Sequence, residues 1–91
     1  MINISNYYEQ LVIDKLWELS EVSENPFTQS FLEDVACLAL NNLPTCYVRS
    51  LVDKGATMTE QDHQQIRTTV GHAIERAMEQ VRRHPHENRY D

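Results

Sequence analysis

An apolar helical run that stops at a proline is the feature that most constrains how this chain folds. Residues 35–40 read Val-Ala-Cys-Leu-Ala-Leu and would be apolar on every side of a helix. A helix of this kind is buried in the centre of a domain. The run ends at Asn41–Pro44, because proline disfavours helical geometry at the residue before it. The sequence therefore predicts a central helix that ends at Asn41 or Asn42 and is followed by a rigid corner.

Side chains that cap helices mark the start of this helix and of two others. Ser5 or Asn6 can cap a first helix, and Thr28 or Ser30 can cap the central one. Thr59 opens a last helix, whose first turn is crowded with acids that suit the helix dipole. The chain is therefore predicted to contain at least three well-capped helices.

Apolar stripes set the extents of the first and last helices. Each stripe recurs at three- and four-residue steps, as in a helix packed on a core. The first comprises Tyr8, Leu11, Val12, Leu16, Leu19 and Val22, and the last Ile66, Val70, Ala73, Ile74, Ala77 and Val81. We expect these helices to span about 6–22 and about 60–83. Trp17 lies off the centre of the first stripe, where it either flanks the core or meets a partner subunit.

The segment between the corner and the last helix admits two conformations. Cys46–Val52 contains β-branched residues and fits either a short helix or an extended piece. Gly55 follows Asp53 and Lys54, and it is the expected left-handed terminator of this segment.

Length and composition place the chain among small helical domains. Its 91 residues are expected to form one domain, 1–91, with a frayed tail over 84–91. Hydrophobic residues make up 41% and only two residues are glycine, which fits a folded helical chain. We expect an all-α bundle of about four helices. Because so short a chain buries only about 60–65% of its unfolded surface, we also expect a homodimer.

Charge is distributed unevenly along the chain. Residues 1–34 hold seven acids and one base, whereas residues 35–91 hold seven of each and contain every arginine. The net charge of −6 repels duplex nucleic acid, although a few converging arginines can still bind a small anion. No signal peptide pattern is present, and no apolar run approaches the roughly 18 residues of a membrane span. We expect a cytoplasmic protein with no membrane partner.

Metal binding and catalysis have weak support. The four histidines and two cysteines lack the spacings that pre-form a metal site, so no metal is predicted. We expect His63 to be solvated and His72 to be partly packed. Cys46 lies near Arg49, and a nearby cation activates a thiol, but the sequence places no general base beside it. We therefore expect no enzymatic activity, with Cys37 and Cys46 serving as small core residues.

An aromatic ring and a guanidinium follow the corner directly. Arg49 can grip phosphate oxygens with paired donors, and Tyr47 offers a ring for stacking on a base. Asn41 and Asp34 can read base edges or simply cap and pair locally. Each also has a ligand-free interpretation, such as an ion pair between Arg49 and Asp53, or a proline that only makes the corner. Their clustering favours a binding site for a small anionic or nucleotide ligand.

The same stretch resembles a known family. Residues 34–49 read D-V-A-C-L-A-L-N-N-L-P-T-C-Y-V-R. This is similar to the signature of the late competence development protein ComFB family, whose core reads approximately D-V-x-x-L-A-L-N-x-L-P-x-x-Y-V. The match covers Asp34, Val35, Leu38, Ala39, Leu40, Asn41, Leu43, Pro44, Tyr47 and Val48. Tyr8-Glu9 with Val12 and the closing amphipathic helix are also family-like, so the resemblance spans nearly the whole chain.

The resemblance implies a small, all-helical, cytosolic and dimeric protein. Some members have been described as receptors for cyclic dinucleotides, chiefly cyclic di-GMP and in some cases cyclic di-AMP, in the control of motility, competence or cell size. The implied ligand-binding residues are Asp34, Asn41, Leu43, Pro44 and Tyr47, with Arg49 added on chemical grounds. Some members bind zinc through a cysteine cluster, but this chain has only Cys37 and Cys46, so the metal is not carried over.

Two functions follow from the sequence. The first is a non-enzymatic receptor for a cyclic dinucleotide, most simply cyclic di-GMP, with no other cofactor and with a downstream protein that the sequence does not identify. The alternative is a ligand-free adaptor that binds a partner protein through its acidic first helix.

Overall fold

The bundle is built around the apolar helix that the sequence places at its centre. The structure, a computed structural model, describes residues 2–83. Within them the chain forms four helices and one two-stranded sheet: α1 Tyr7–Val22, α2 Gln29–Asn41, α3 Leu51–Ala56, α4 Glu60–Arg83, β1 Ser5–Asn6 and β2 Tyr47–Val48. The predicted all-α bundle of about four helices is confirmed. The predicted frayed tail, 84–91, lies outside the described residues.

Capping side chains start three of the helices where the sequence placed them. The Asn6 side chain accepts the backbone N–H two residues on at 3.2 Å, and the Thr28 hydroxyl accepts the one three residues on at 3.1 Å. Thr59 and Asp62 form a reciprocal capping box: each side chain accepts the other's backbone N–H, at 3.0 and 3.2 Å. Of the two candidate caps for each of the first two helices, the structure uses Asn6 and Thr28.

The end of α2 is also as predicted. Asn42 caps the helix, and its side-chain amide donates to the Leu38 carbonyl at 2.9 Å. Leu43 then turns inward and is buried, whereas Pro44 stays exposed. The corner is therefore anchored by one apolar side chain that enters the core immediately after the helix ends.

The core lies where α2 packs against both α1 and α4. Val12, Val35 and Ile74, one from each helix, are fully buried at its centre. The remaining buried members are Leu16, Leu32, Ala39, Leu43, Val70, Ala73, Ala77 and Val81. Burial of each valine, leucine or isoleucine among them stabilises a domain by about 1.5–3 kcal/mol, so this contact is the main source of stability.

The prediction that the apolar run 35–40 lies buried in the centre of the domain holds for only part of the helix. Val35 and Ala39 are buried, whereas Ala36, Leu38 and Leu40 are half-buried. Cys37 is exposed, and the expectation that it serves as a core residue is therefore wrong. α2 has two neighbours that cover only part of its circumference, and the third side of the helix faces outward. Cys46, by contrast, is half-buried.

Both conformations considered for residues 46–52 occur. Tyr47–Val48 forms a strand, and the helix α3 begins three residues later with Ser50 as its cap. The prediction that Gly55 is a left-handed terminator is wrong, because Gly55 lies inside α3 and no described glycine has a positive φ. The helix ends at Ala56 instead, and Thr57 caps it, with its N–H donating to the Asp53 carbonyl at 3.2 Å.

None of the helices within residues 2–83 has the length and apolar character needed to cross a bilayer. The predicted homodimer is not tested by a single chain and stays a prediction.

Replacing Gly71 with Ala should stabilise the bundle. Gly71 lies in the middle of α4, and a Cβ added there would meet no atom within 4 Å outside its own helix. Because glycine costs about 1 kcal/mol relative to alanine inside a helix, we expect Gly71→Ala to raise the free energy of unfolding by that amount. Urea denaturation followed by circular dichroism measures the change. A lower stability in Gly71→Ala would contradict this packing of α4.

Candidate functional site

A short antiparallel strand pair joins the amino-terminal segment to the end of the central corner. Ser5 pairs with Val48 and Asn6 pairs with Tyr47. Next to this pair, the backbone N–H of Tyr7 donates to the Cys46 carbonyl at 2.7 Å. The residues that follow the predicted corner are therefore held against the start of α1.

The side chain of Asn6 connects the same two regions a second time. Its Oδ1 accepts from Tyr8 N at 3.2 Å, which caps α1, and from Cys46 N at 3.1 Å. One carboxamide oxygen thus satisfies two backbone donors that are 38 residues apart in sequence, since they belong to residues 8 and 46. The helix cap was predicted from the sequence, but the contact with Cys46 was not.

A broad open groove lies beside this strand pair. It has a volume of about 940 Å³, which is in the range of small-molecule sites. One wall is the amino-terminal segment, and the other is the end of β2 with α3. The lining residues are Ile2, Asn3, Ile4, Val48, Arg49, Ser50, Asp53, Lys54 and Thr57. We refer to it as the Arg49 groove.

The Arg49 groove combines two cations with hydrogen-bonding groups of both kinds. Within residues 2–83 neither Arg49 nor Lys54 forms an ion pair, so both charges are available to an anion. Ser50 Oγ accepts from Asp53 N at 3.2 Å, which leaves its hydroxyl hydrogen to donate. Thr57 Oγ1 donates to the Lys54 carbonyl at 3.0 Å, which leaves its lone pairs to accept.

The wall formed by α3 is fixed to α4 by a histidine. His63 Nε2 lies 2.8 Å from the Gly55 carbonyl oxygen, and Tyr7 lies buried beside them. His63 is half-buried and His72 is exposed, so both expectations for these histidines are wrong. The contact of His63 with a carbonyl eight residues earlier depends on how α3 turns back onto α4, which helical periodicity does not reveal.

The six residues predicted to bind a ligand fall into two groups. Asp34 and Leu43 are buried. The remaining four, Asn41, Pro44, Tyr47 and Arg49, are exposed. Only Arg49 lines the groove. Asp34 lies two helical turns before Asn41, which is about 10 Å along the axis of α2. The structure therefore does not gather the six residues into one surface.

Tyr47 and Arg49 lie on different sides of the strand pair. Successive side chains of a strand point to opposite faces, and Val48 faces the groove, so Tyr47 faces away with 65% of its surface exposed. The strand ends at Val48, and a bend at Arg49 brings the guanidinium to the same side as Val48. The ion pair considered between Arg49 and Asp53 is not formed.

Metal-binding groups do not assemble in the described part of the chain. Within residues 2–83, no three side chains of His, Cys, Asp or Glu are grouped as a metal site would need. Cys46 is half-buried, and its backbone is engaged by Asn6 and Tyr7 rather than its thiol by a base. The strand pair, the corner and the Arg49 groove are thus the features on which a binding function can be built.

Comparison with protein families decides what kind of domain this is. The family model described as "Late competence development protein ComFB" matches residues 5–85. The chain belongs to the ComFB family. The resemblance seen in the sequence is confirmed, and it connects the protein to a competence-related family. Neither the search of curated proteins nor the search of solved structures gives a significant match.

Neither the ComFB signature nor the chemistry of the side chains predicted several of the residues that line the groove. Ile2, Asn3 and Ile4 precede the first helix and carry no periodic pattern, and Lys54 and Thr57 lie beyond the signature. One available signal was the prediction that residues 46–52 could be extended, because a strand requires a partner strand elsewhere in the chain. The sequence did not indicate that the partner is the segment before α1.

Replacing Asn6 should destabilise this ComFB domain by more than the loss of an ordinary helix cap. Asn6→Ala removes an acceptor shared by the cap of α1 and by Cys46 N. We expect the free energy of unfolding to fall by about 1–3 kcal/mol, and the Cys46 amide hydrogen to exchange faster. Asn6→Asp keeps the acceptor oxygen and should retain most of the stability. Ser5→Ala is the matched neighbour and should be nearly neutral; equal losses in all three variants would contradict the shared-acceptor role.

Proposed function

We propose that this ComFB-family protein is a non-enzymatic receptor for a cyclic dinucleotide, most simply cyclic di-GMP, in bacterial signalling that controls motility, competence or cell size. The observation that carries the proposal is the Arg49 groove, which places two unpaired cations next to the end of the family signature. Family membership supports a competence-related role.

The phosphates of a cyclic dinucleotide match the cationic side of the groove. Arg49 can hold two phosphate oxygens with parallel N–H donors, and Lys54 supplies a second positive charge one turn into α3. The free donor of Ser50 can complete the contacts to a phosphate or sugar oxygen. A protein of net charge −6 can bind such a ligand because only the local charges of the groove act at this distance.

The exposed carboxylate of Asp53 favours guanine over adenine. A guanine Watson–Crick edge presents two adjacent N–H donors, which one carboxylate can accept together, whereas adenine presents one donor and one acceptor. Asp34, the carboxylate considered for this role in the sequence, is buried in α2, but Asp53 lies in the groove. This difference supports cyclic di-GMP as the preferred ligand and cyclic di-AMP as the weaker one.

Two further parts of the proposal concern the assembly. We propose a homodimer, supported by large apolar residues that are exposed within residues 2–83, among them Ile2, Ile4 and Val52. Tyr47 offers its exposed ring on the face opposite the groove, and it remains a predicted stacking surface for a base that reaches over the edge of β2. Sedimentation equilibrium with and without nucleotide tests the dimer.

Removing either groove cation should weaken nucleotide binding without unfolding the protein. Charge-assisted hydrogen bonds contribute about 1.5–3 kcal/mol, so Arg49→Ala and Lys54→Ala should each raise the Kd by about 10- to 100-fold. Isothermal titration calorimetry with cyclic di-GMP and with cyclic di-AMP measures this. Arg76→Ala, an exposed arginine of α4 outside the groove, makes the same charge change and should bind normally.

The wild-type titration is decisive for the receptor function. The proposal would be contradicted if neither nucleotide gave heat or a thermal shift at concentrations well above micromolar. If wild-type protein binds but the Arg49 and Lys54 variants bind equally well, the site is elsewhere. Weaker binding by Tyr47→Ala would then place the site at the exposed ring of Tyr47, because loss of a stacked ring costs about 1–3 kcal/mol of binding free energy.

Neutralising Asp53 should change the choice of base more than the total affinity. In Asp53→Asn one acceptor oxygen becomes an amide donor, so the paired contact with guanine is lost while the α3 cap remains, because Ser50 accepts from the backbone N–H of residue 53. We expect the ratio of the affinity for cyclic di-GMP to that for cyclic di-AMP to fall by about 5- to 150-fold, which corresponds to about 1–3 kcal/mol. Competition titrations give that ratio, and an unchanged ratio would remove Asp53 from base recognition.

A further inference from the structure

A second concave surface lies between α1 and α2. It is a groove of about 270 Å³ whose lining is mostly apolar. The lining residues are Ile13, Leu16, Trp17, Gln29, Leu32, Glu33 and Ala36. We refer to it as the Trp17 groove. It shares no residue with the Arg49 groove.

The Trp17 groove exposes large apolar side chains that no other residue within 2–83 covers. Trp17 is 54% exposed and Ile13 is 37% exposed, although both lie directly beside the buried Leu16 and Leu32. Ala36 forms the floor on α2, and its small side chain leaves room for a bulky residue from outside. An exposed aromatic residue next to a recess is the usual form of a protein-binding anchor.

The rim of the Trp17 groove is acidic. Glu9 and Glu21 are exposed on α1, four residues before Ile13 and four after Trp17, so they lie on the same side of that helix. Glu33 lines the groove itself and accepts from Gln29 at 3.0 Å. The edges of the groove on both helices thus carry negative charge.

No described cation offsets this charge at the groove. Lys15 is the one base of residues 1–34, and it contacts Glu18 at 3.1 Å in a different cleft, with Arg67 nearby. In the part of the chain that the structure describes, neither Lys nor Arg lines the Trp17 groove. A partner that places positive charges on the rim would therefore be attracted, and its on-rate would rise at low salt.

We propose that the Trp17 groove is a docking site for a basic amphipathic helix of another protein. Such a helix would insert a large apolar side chain over Ala36, beside Trp17, and place Lys or Arg side chains against Glu9, Glu21 and Glu33. A second copy of this chain is a poorer occupant, because a two-fold interface would bring the same acidic rim against itself. The proposal does not depend on nucleotide binding, and it gives the acidic first helix a specific surface.

The protein carries its own reporter for this site. Trp17 is the single tryptophan of the chain, so its fluorescence reports on the groove alone. The probe is a synthetic helix of roughly 18 residues, about five turns, with a leucine and phenylalanine stripe and a lysine polar face. The matched peptide has glutamate in place of every lysine. We expect the basic peptide to shift Trp17 emission to the blue, and the acidic peptide to leave it unchanged.

Variants separate the apolar and the electrostatic parts of the interaction. Ile13→Ser should weaken the binding of a fluorescein-labelled basic peptide, measured by anisotropy, by about tenfold. Val22→Ser removes an exposed valine of α1 that does not line the groove, and this variant should bind like wild type. The double variant Glu21→Lys, Glu33→Lys should reverse the preference to the acidic peptide, whereas Glu75→Lys, an exposed acid of α4, should not.

Three outcomes would overturn the proposal. Equal binding of the basic and acidic peptides would show that the rim does not select its partner. A wild-type affinity in Ile13→Ser would place the peptide elsewhere. A blue shift that grows with protein concentration in the absence of peptide, together with dimers in sedimentation equilibrium, would assign the groove to a second copy of the chain.

Discussion

The Arg49 groove depends on the carboxamide oxygen of Asn6, which connects the amino-terminal segment to the residues that follow the corner. This oxygen caps α1 and accepts from the backbone of Cys46, while the adjacent backbone of Tyr7 donates to the Cys46 carbonyl. These bonds hold the amino-terminal segment against the end of the signature corner, and the Arg49 groove lies between that segment and α3. Without this connection, β2 would have no partner strand and the groove would lose one wall.

The hydrophobic core holds the corner in place at its other end. α2 packs against α1 and α4, and Leu43 extends that core past the end of the helix. The corner is thus restrained at both of its ends, by an apolar side chain at Leu43 and by hydrogen bonds at Cys46. A rigid backbone at this place keeps Arg49 directed at the groove, and preorganised contacts of this kind lower the entropy cost of ligand binding.

The two grooves divide the surface by charge. The Arg49 groove contains two unpaired cations, Arg49 and Lys54, and one carboxylate, Asp53, whereas the Trp17 groove is apolar with an acidic rim. A small anion and a basic protein segment would therefore each be attracted to one groove and repelled by the other. α1 is the structural element common to both, since its start is fixed by Asn6 and its middle carries Trp17. A receptor that reports to a downstream protein would need two separate surfaces of this kind.

The sequence by itself determined the helices, their caps and the family. Helical periodicity, side-chain caps and the break at Pro44 act within a few residues, so the extents of α1, α2 and α4 and the signature of residues 34–49 could be predicted without the structure. Only the tertiary structure decided which residues form the groove and where Tyr47 and Arg49 point. It also decided that the Asp34 carboxylate is buried and the Cys37 thiol is exposed, the reverse of what we expected for these residue types. The physical reason is that the pairing of β1 with β2 is made by backbone hydrogen bonds between residues about 40 positions apart. Backbone donors and acceptors are the same in every residue, so such a pairing leaves little trace in the order of the side chains.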